Sequence, residues 1–384
     1  MDTIRPHLIT AGRVVTPSSD LVPGTVEVVD GRIASVRTGA STGADVSAPD
    51  GILIPGFIDL QINGVGGVDF LTAKTDADWL RVGRYLASTG VTAFAPTLIT
   101  SPPSVVREAL IRCARLAARP PAPRIVGLHL EGPFLNPEFK GAHPVRYLRA
   151  PDPTYAAALL DAAGGAVRMV TLAPELPGAR EVIRLLRKRG CIVAAGHTGA
   201  TYDQAQAAFS EGVTQVTHLF NAMRPVHHRD PGIVVAALQH PQVTVSLIAD
   251  FVHTHPAIVH LAVRLKGWER VALITDAIAA AGARGKVTHL GTRTVRVSDA
   301  PRLADGTLAG SVLSMDRAVR NVTSLGIPLR EAVQMASTTP AHLLGRGDLG
   351  RIEEGAIADL VVLNQALHVR AVYAAGERIY REGQ

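Results

Sequence analysis

The chain has 384 residues, of which 47% are hydrophobic, 19% are charged and 4% are aromatic, and its formal net charge is +6. Scattered arginines and few aromatic residues argue against a nucleic-acid-binding surface, and no apolar run approaches the roughly 18 residues of a membrane span. Two cysteines are too few for a disulfide framework, and the N-terminal stretch MDTIRPHLITAG lacks the apolar run of a signal peptide. We therefore expect a cytoplasmic protein with no nucleic-acid or membrane partner.

The first part of the chain, residues 1–53, is predicted to form short strands separated by turns. The segments HLITAGRVVTP and GTVEVVDGRIASVR have the composition of strands, and Asp30-Gly31 has the sequence of a tight hairpin turn. The pattern changes from residue 54 onward, so we place a domain boundary there.

Residues 54–345 alternate between short apolar runs and segments with helical spacing, such as DADWLRVGRYLAS and PGAREVIRLLRKR. Long apolar runs are typical of parallel strands that are buried on both faces. Eight such runs occur, namely IPGFIDLQ, TAFAPTL, RIVGLHLEG, VRMVTLAPE, CIVAAGHT, TQVTHLF, VTVSLIAD and VALITDA. This repeat predicts an α/β fold with a closed (β/α)8 TIM barrel, followed by helices from about Ser311 to Leu344.

The last part of the chain, residues 346–384, is again strand-like, in the segment DLGRIEEGAIADLVVLNQALHVRAVYAAGERIY. Neither chain end has enough residues for a stable core of its own. We therefore predict that the two ends together form one small β-sandwich domain beside the barrel.

Polar residues follow several of the predicted barrel strands, and in such barrels the active site lies at the C-terminal ends of the strands. These residues are Asp59, Gln61, Asn63, Glu131, His197, His218 and Asp276. Glu131, His197 and His218 form a common catalytic zinc set, which Fe²⁺ and Co²⁺ also accept. Asp276 suits a general base. The alternative is that Asp276 only caps a loop and that each histidine is structural.

Three loop segments also carry residues that chemistry could use. His143 follows LNPEFKGA, and His253 lies in IADFVHTHP close to His255 and His260, so spacing alone does not select among these histidines. The run HHRDPG contains Arg229, whose side chain would either bind an anionic group or stay solvated.

Seven motifs occur in order along the chain, namely PGFIDLQINGVGG, GLHLEGPF, KGAH, GHTGA, THLFNAM, LITDA and LADGTLAGSVLSMDRAVRN. Together they resemble the N-acetylglucosamine-6-phosphate deacetylases of the amidohydrolase superfamily. The resemblance extends from about Ile54 to the C-terminus. HLEGPF, THLFNAM and LAGSVLSMD in this order are highly specific, whereas LITDA occurs in other amidohydrolases as well.

The resemblance implies a role for each matching position. It implies metal binding by Glu131, His197 and His218, makes Asp276 the catalytic acid and base, and makes His143 the group that polarises the acetyl carbonyl. It assigns the sugar phosphate to four residues, which are Asn221, Ala222 through its backbone, Arg229 and His253. It also implies a homodimer in which Arg229 reaches into the neighbouring subunit's site.

Three departures from the related sequences affect what the resemblance implies. Many amidohydrolases have an HxH motif after the first strand, but Gln61 and Asn63 stand there and replace imidazole ligands poorly, so we expect one divalent metal per subunit. Phe251 follows Asp250 where the family usually has glycine, and the segment AAAGARGKVTHLG also differs. We expect such differences at the barrel mouth to affect substrate choice more than chemistry.

The resemblance implies hydrolytic deacetylation of N-acetylglucosamine 6-phosphate, giving glucosamine 6-phosphate and acetate, and we expect metal-activated water with Asp276 as general acid and base. One alternative, favoured by Phe251, is an amidohydrolase that acts on a different N-acyl substrate or sugar phosphate. The other is a non-catalytic barrel scaffold, against which the intact Glu131, His197, His218 and Asp276 argue.

Overall fold

A computed structural model describes residues 7–117 and 123–383 of the chain. Eight parallel strands form a nearly closed barrel, which confirms the predicted architecture, and each strand overlaps one of the eight predicted runs. The strands are β1 (Phe57–Ile62), β2 (Val91–Ile99), β3 (Leu128–Glu131), β4 (Val167–Leu172), β5 (Ile192–Ala195), β6 (Val213–Val216), β7 (Thr244–Ile248) and β8 (Val271–Ile274). All nine residues of β2 are buried, as expected for a parallel strand covered on both faces.

The barrel closes where β8 meets β1. The backbone N–H of Asp276 donates to the carbonyl oxygen of Gln61 at 2.9 Å, and Ile62 forms an isolated parallel bridge with Ala277. The residues that end the first and the last strand are therefore neighbours in space, although more than 200 positions separate them in the sequence.

Ten α-helices cover the barrel in the described part of the chain, and the last three follow its eighth strand. They are α1 (Asp76–Ser88), α2 (Pro103–Ala117), α3 (Pro153–Ala162), α4 (Ala179–Lys188), α5 (Tyr202–Glu211), α6 (Gly232–Gln239), α7 (Pro256–Lys266), α8 (Met315–Ser324), α9 (Leu329–Ala336) and α10 (Thr338–Leu343). Helix α1 begins with a capping box, because the Thr75 side chain accepts from the Asp78 N–H and the Asp78 carboxylate accepts from the Thr75 N–H. None of the described helices is both long and apolar enough to cross a membrane.

The two chain ends build a second sheet. Its strand Val46–Pro55 runs parallel to Leu8–Val15 and antiparallel to Leu360–Leu363, so it joins the N-terminal and C-terminal parts. The remaining strands are Asp20–Leu21, Gly24–Val29, Arg32–Thr38, Val369–Ala374 and Glu377–Arg381. The sheet has a small buried core of its own, which includes Val28 and Tyr373.

A buried ion pair connects this sheet to the barrel. Arg124, in the short strand Arg124–Ile125 beside β2, donates through both terminal nitrogens to the carboxylate of Asp359, and the bond from Nη2 to Oδ1 is 3.1 Å long. Asp359 is 2% exposed and also accepts from the backbone N–H of Ala375. Burial raises the pKa of Asp359, so its charge depends on the guanidinium.

An insertion between β8 and α8 forms a small antiparallel sheet from three strands, Val287–Leu290, Arg293–Val297 and Pro301–Arg302. The segment AAAGARGKVTHLG, which departs from the related sequences, lies within this insertion, and its last part forms the strand Val287–Leu290. The Gly291 N–H donates at 2.7 Å to Asp69, whose buried carboxylate follows β1, so the insertion is tied to the barrel mouth.

Candidate active site

The structure brings the three predicted metal ligands together at the carboxyl ends of their strands. Glu131 ends β3, and its Oε1 lies 3.3 Å from the Nε2 of His197 and 3.0 Å from the Nε2 of His218. The two Nε2 atoms are 3.2 Å apart. All three side chains are buried. Ligands arranged tetrahedrally at about 2.0–2.2 Å from a shared ion lie roughly 3.3–3.6 Å apart, and the edges of this triangle come within about 0.3 Å of that range.

The hydrogen bonds of His197 test whether this set fits a cation. Its Nδ1 lies 2.9 Å from the carbonyl oxygen of Phe139, which can only accept, so Nδ1 carries a proton and donates. With Nδ1 bonded to Phe139, Nε2 is the nitrogen that faces the Glu131 carboxylate, and in a neutral ring it would offer its lone pair to a metal ion. A divalent ion bound between this nitrogen and the Glu131 carboxylate would satisfy both groups, so the set fits a cation.

Glu131 keeps its charge in this buried position. Burial alone would raise the pKa of its carboxyl group, but the hydrogen bonds and charges of His197 and His218 hold that pKa well below its usual range. A buried carboxylate between imidazoles is the expected state of a metal ligand.

His143 lies in the same cluster. Its ring is perpendicular to that of His197 with the centroids 4.5 Å apart, and its Nε2 is 3.8 Å from the other Glu131 oxygen, Oε2. The ligand atoms of Glu131, His143 and His197 all lie within 4.8 Å of one another. His143 is therefore a geometric alternative to His218 as the third metal ligand. His218 has the shorter contacts. Burial, followed by the charge of His197, lowers the pKa of His143 to about 3, so this ring is neutral.

Asp276 lies beside the cluster, where amide side chains fix one of its oxygens. Asn63 donates from Nδ2 to Oδ1 at 2.7 Å, and Gln61 donates from Nε2 to the same oxygen at 3.3 Å and to Glu131 at 2.9 Å. The two residues that stand at the HxH positions are thus hydrogen-bond donors to carboxylates. Burial, and then the charge of Glu131, raises the pKa of Asp276 to about 6. Asp59 does not line the cavity, and its carboxylate accepts from Thr275.

Several site residues have backbone angles that side chains rarely adopt. His197, His218 and Asp276 have φ values of +49°, +32° and +49°, each where a barrel strand turns into its loop. A positive φ is unfavourable for residues with a side chain and persists only where the surrounding structure enforces it. Such residues are concentrated at functional sites.

The cluster opens into a cavity of about 380 Å³. Of the predicted substrate-binding residues, Asn221, Ala222 and His253 line it. The Nδ1 of His253 lies 2.7 Å from Asp250, which orients the ring. Arg229 does not line the cavity of this subunit. It is exposed, with its Nη1 2.9 Å from the Nε2 of His228.

Phe251 has a φ of +66°, a conformation in which glycine is unstrained, which explains why glycine is usual at this position in the family. Its ring packs on the barrel core and is not among the residues that line the cavity.

Sequence reasoning missed part of the cavity wall. The insertion after β8 contributes Leu290 and Arg302, and the following turn contributes Gly306, Thr307 and Leu308. Arg302 directly precedes the motif LADGTLAGS, and this adjacency was the one available signal.

A (β/α)8 barrel with a buried Glu/His cluster at its mouth defines a metal-dependent hydrolase. The sequence model of the Amidohydrolase family matches residues 52–379, and the chain belongs to that family. It is 42% identical to the N-acetylglucosamine-6-phosphate deacetylase of Bos taurus over 86% of this chain and 84% of that protein. It is 36% identical to the N-acetylgalactosamine-6-phosphate deacetylase of Escherichia coli O157:H7 over 97% and 98%.

Solved structures agree with this assignment. The chain superposes with a TM-score of 0.92 on an N-acetyl-D-glucosamine-6-phosphate deacetylase mutant from Mycobacterium smegmatis in complex with N-acetyl-D-glucosamine-6-phosphate. The two are 39% identical, and the match covers 98% of this chain and 99% of that one.

Proposed function

We propose that the protein deacetylates N-acetylglucosamine 6-phosphate, giving glucosamine 6-phosphate and acetate. The observation that carries the proposal is the placement of Asp276 beside the Glu131, His197 and His218 triangle in one cavity. A hydrolase needs a site for activating water and a group that moves its proton, and this arrangement supplies both. Relatives that bear this activity in their names support the choice of substrate.

A divalent ion held by Glu131, His197 and His218 would activate water and polarise the acetyl carbonyl. Zn²⁺ is the best match to one carboxylate and two imidazoles, and Fe²⁺ and Co²⁺ share the preference. Because Gln61 and Asn63 donate to carboxylates, we propose one metal ion per subunit.

Asp276 would move the proton in both halves of the reaction. Both amides bind its Oδ1, so Oδ2 is the oxygen placed to take a proton from water and later return it to the leaving amine. One carboxylate serves both steps because it gains the proton first and gives it up second. His143 is neutral and buried, and it would donate its N–H to the acetyl carbonyl as negative charge develops there.

Asn221, the Ala222 backbone and His253 would hold the sugar phosphate. For Arg229 we propose a role across a homodimer interface, because it is exposed and does not line the cavity of its own subunit. We also propose a cytoplasmic location, which the two buried free cysteines, Cys113 and Cys191, support.

A second candidate is the 6-phosphate of N-acetylgalactosamine, the C4 epimer. The relative named for that substrate matches nearly the whole of both chains, which favours it. The acetamide and the phosphate are the same in both sugars, so the site chemistry described above suits either.

Acetate release would be measured from both 6-phosphates and from unphosphorylated N-acetylglucosamine, before and after chelation of metal-analysed protein. Chelator-sensitive release with the largest kcat/KM for N-acetylglucosamine 6-phosphate supports the proposal. A larger kcat/KM for the galactosamine epimer replaces it with the second candidate. Protein that holds a metal ion but releases acetate from none of the three sugars contradicts both.

A further inference from the structure

We propose that Arg302 is a specificity-determining residue that binds the substrate phosphate from within the same subunit. The inference rests on the proposed function, because it concerns a phosphorylated substrate in the cavity described above. Arg302 is the one arginine or lysine among the described residues that line this cavity. Arg229, the cation implied by the resemblance, lies outside it.

The charges of the cavity create the need for such a residue. Three carboxylates line the cavity, those of Glu131, Glu138 and Asp276. These carboxylates repel an approaching phosphate dianion. A metal ion held at Glu131 would offset the negative charge close to that residue but less of the charge farther out in the cavity. A guanidinium near the mouth attracts the phosphate and orients the substrate with its acetamide toward Asp276.

The position of Arg302 is fixed by its own loop. Its backbone pairs with Arg296 in the neighbouring strand and bridges to Leu308. Its Nη1 donates to the carbonyl oxygen of Gly306 at 3.1 Å, and its Nη2 donates to Asp299 at 3.2 Å. These bonds use two of the five N–H donors, so enough remain for a phosphate contact through two oxygens.

The pairing of Arg302 with Asp299 does not cancel its charge at the site. The side chains of Arg302 and Asp299 are 37% and 67% exposed, so solvent screens the attraction between them. The turn that Arg302 braces carries Gly306, Thr307 and Leu308, which line the cavity as well. The insertion itself is tied to the barrel by the hydrogen bond from Gly291 to Asp69. The insertion therefore holds the Arg302 guanidinium in place at the cavity before substrate binds.

The test compares Arg302→Gln and Arg302→Lys with Arg284→Gln, which removes the same charge from an exposed position in the same insertion that does not line the cavity. Arg302→Gln is expected to raise KM for N-acetylglucosamine 6-phosphate by about 10- to 100-fold, the range for a lost charged hydrogen bond. Its kcat/KM for unphosphorylated N-acetylglucosamine should stay at the wild-type value. The KM of Arg302→Lys for the 6-phosphate should lie between those of the wild type and Arg302→Gln, since lysine keeps the charge but cannot bind two phosphate oxygens as the planar guanidinium does.

Binding of inorganic phosphate to the same proteins, measured by calorimetry, should weaken in Arg302→Gln and not in Arg284→Gln. An unchanged KM and unchanged phosphate affinity in Arg302→Gln overturn the inference. An equal loss of kcat/KM for N-acetylglucosamine 6-phosphate and for unphosphorylated N-acetylglucosamine also overturns the inference, because it shows that Arg302 has a structural role. Failure of the proposed function is a separate result, since wild-type protein would then release no acetate while the phosphate titration still tests Arg302.

Discussion

Asn63 donates a 2.7 Å hydrogen bond to the Oδ1 of Asp276, and this bond crosses the seam at which the last barrel strand meets the first. Asn63 and Gln61 both present N–H groups, so they favour the ionised form of the carboxylate proposed as the base. Closure of the barrel therefore also positions the carboxylate that we propose as the general base.

Asn63→Ala should shift the acid limb of kcat/KM upward by about one pH unit, and so lower kcat/KM by about tenfold at pH values well below the wild-type limb, because the carboxylate loses a charged hydrogen bond. A pH profile of acetate release measures this shift. The matched control is Asn136→Ala, which removes an amide that bonds to Glu175 instead. An unshifted limb in Asn63→Ala would show that the bond does not set the basicity of Asp276.

Asp276→Asn should keep about one metal ion per chain and lower kcat by at least about 100-fold, the lower end of general acid–base contributions. Single-turnover assays and metal analysis of the same preparation measure both quantities. Near-full turnover by this variant would remove Asp276 from the mechanism.

The pH dependence follows from the burial of Asp276. Burial and Glu131 raise the pKa of Asp276 to about 6 without a metal ion, and a bound cation favours the ionised form. A base must be ionised, so kcat/KM should fall tenfold per unit on the acid side of a limb at or below pH 6. Wild-type profiles over pH 4.5–9 test this, and a limb above pH 7 would be incompatible with it.

Metal analysis of two histidine variants distinguishes the competing ligand sets. His218→Asn should lose the metal ion, and with it activity and thermal stability, because Glu131 and His197 alone hold it weakly. His143→Asn should keep about one ion per chain and lose turnover instead. The reverse pattern would make His143 the third ligand.

Asp359→Ala should lower the free energy of unfolding by about 3–5 kcal/mol, because it leaves the half-buried guanidinium of Arg124 without its partner. Denaturant unfolding measures the loss. The control is Arg370→Ala, which breaks the exposed pair with Glu382 on the same sheet and should change stability by less than about 1 kcal/mol. Similar losses in both variants would mean that the link between sheet and barrel adds nothing.

The sequence predicted the barrel well because parallel strands buried on both faces must be apolar along their whole length, as β2 is. It also predicted that Glu131, His197 and His218 meet, because carboxyl ends converge in any such barrel. Asp59, another of the strand-end residues, does not line the cavity, because its carboxylate is bonded to Thr275. Loop residues were harder. Nothing in the spacing separates His253 from His255, since the choice depends on a contact with Asp250 that only the folded loop makes. Arg302 reaches the cavity through the pairing of an insertion, which periodicity does not reveal.

The small sheet is completed late in synthesis, because two of its paired strands lie near opposite ends of the chain. Val46–Pro55 emerges from the ribosome before any barrel strand, whereas its partner Leu360–Leu363 emerges after all eight. At roughly 5–20 residues per second, one edge of Val46–Pro55 stays without its native partner for about 15–60 s while the barrel is made. Open strand edges invite pairing with other chains, so this interval is when the nascent protein most needs a chaperone.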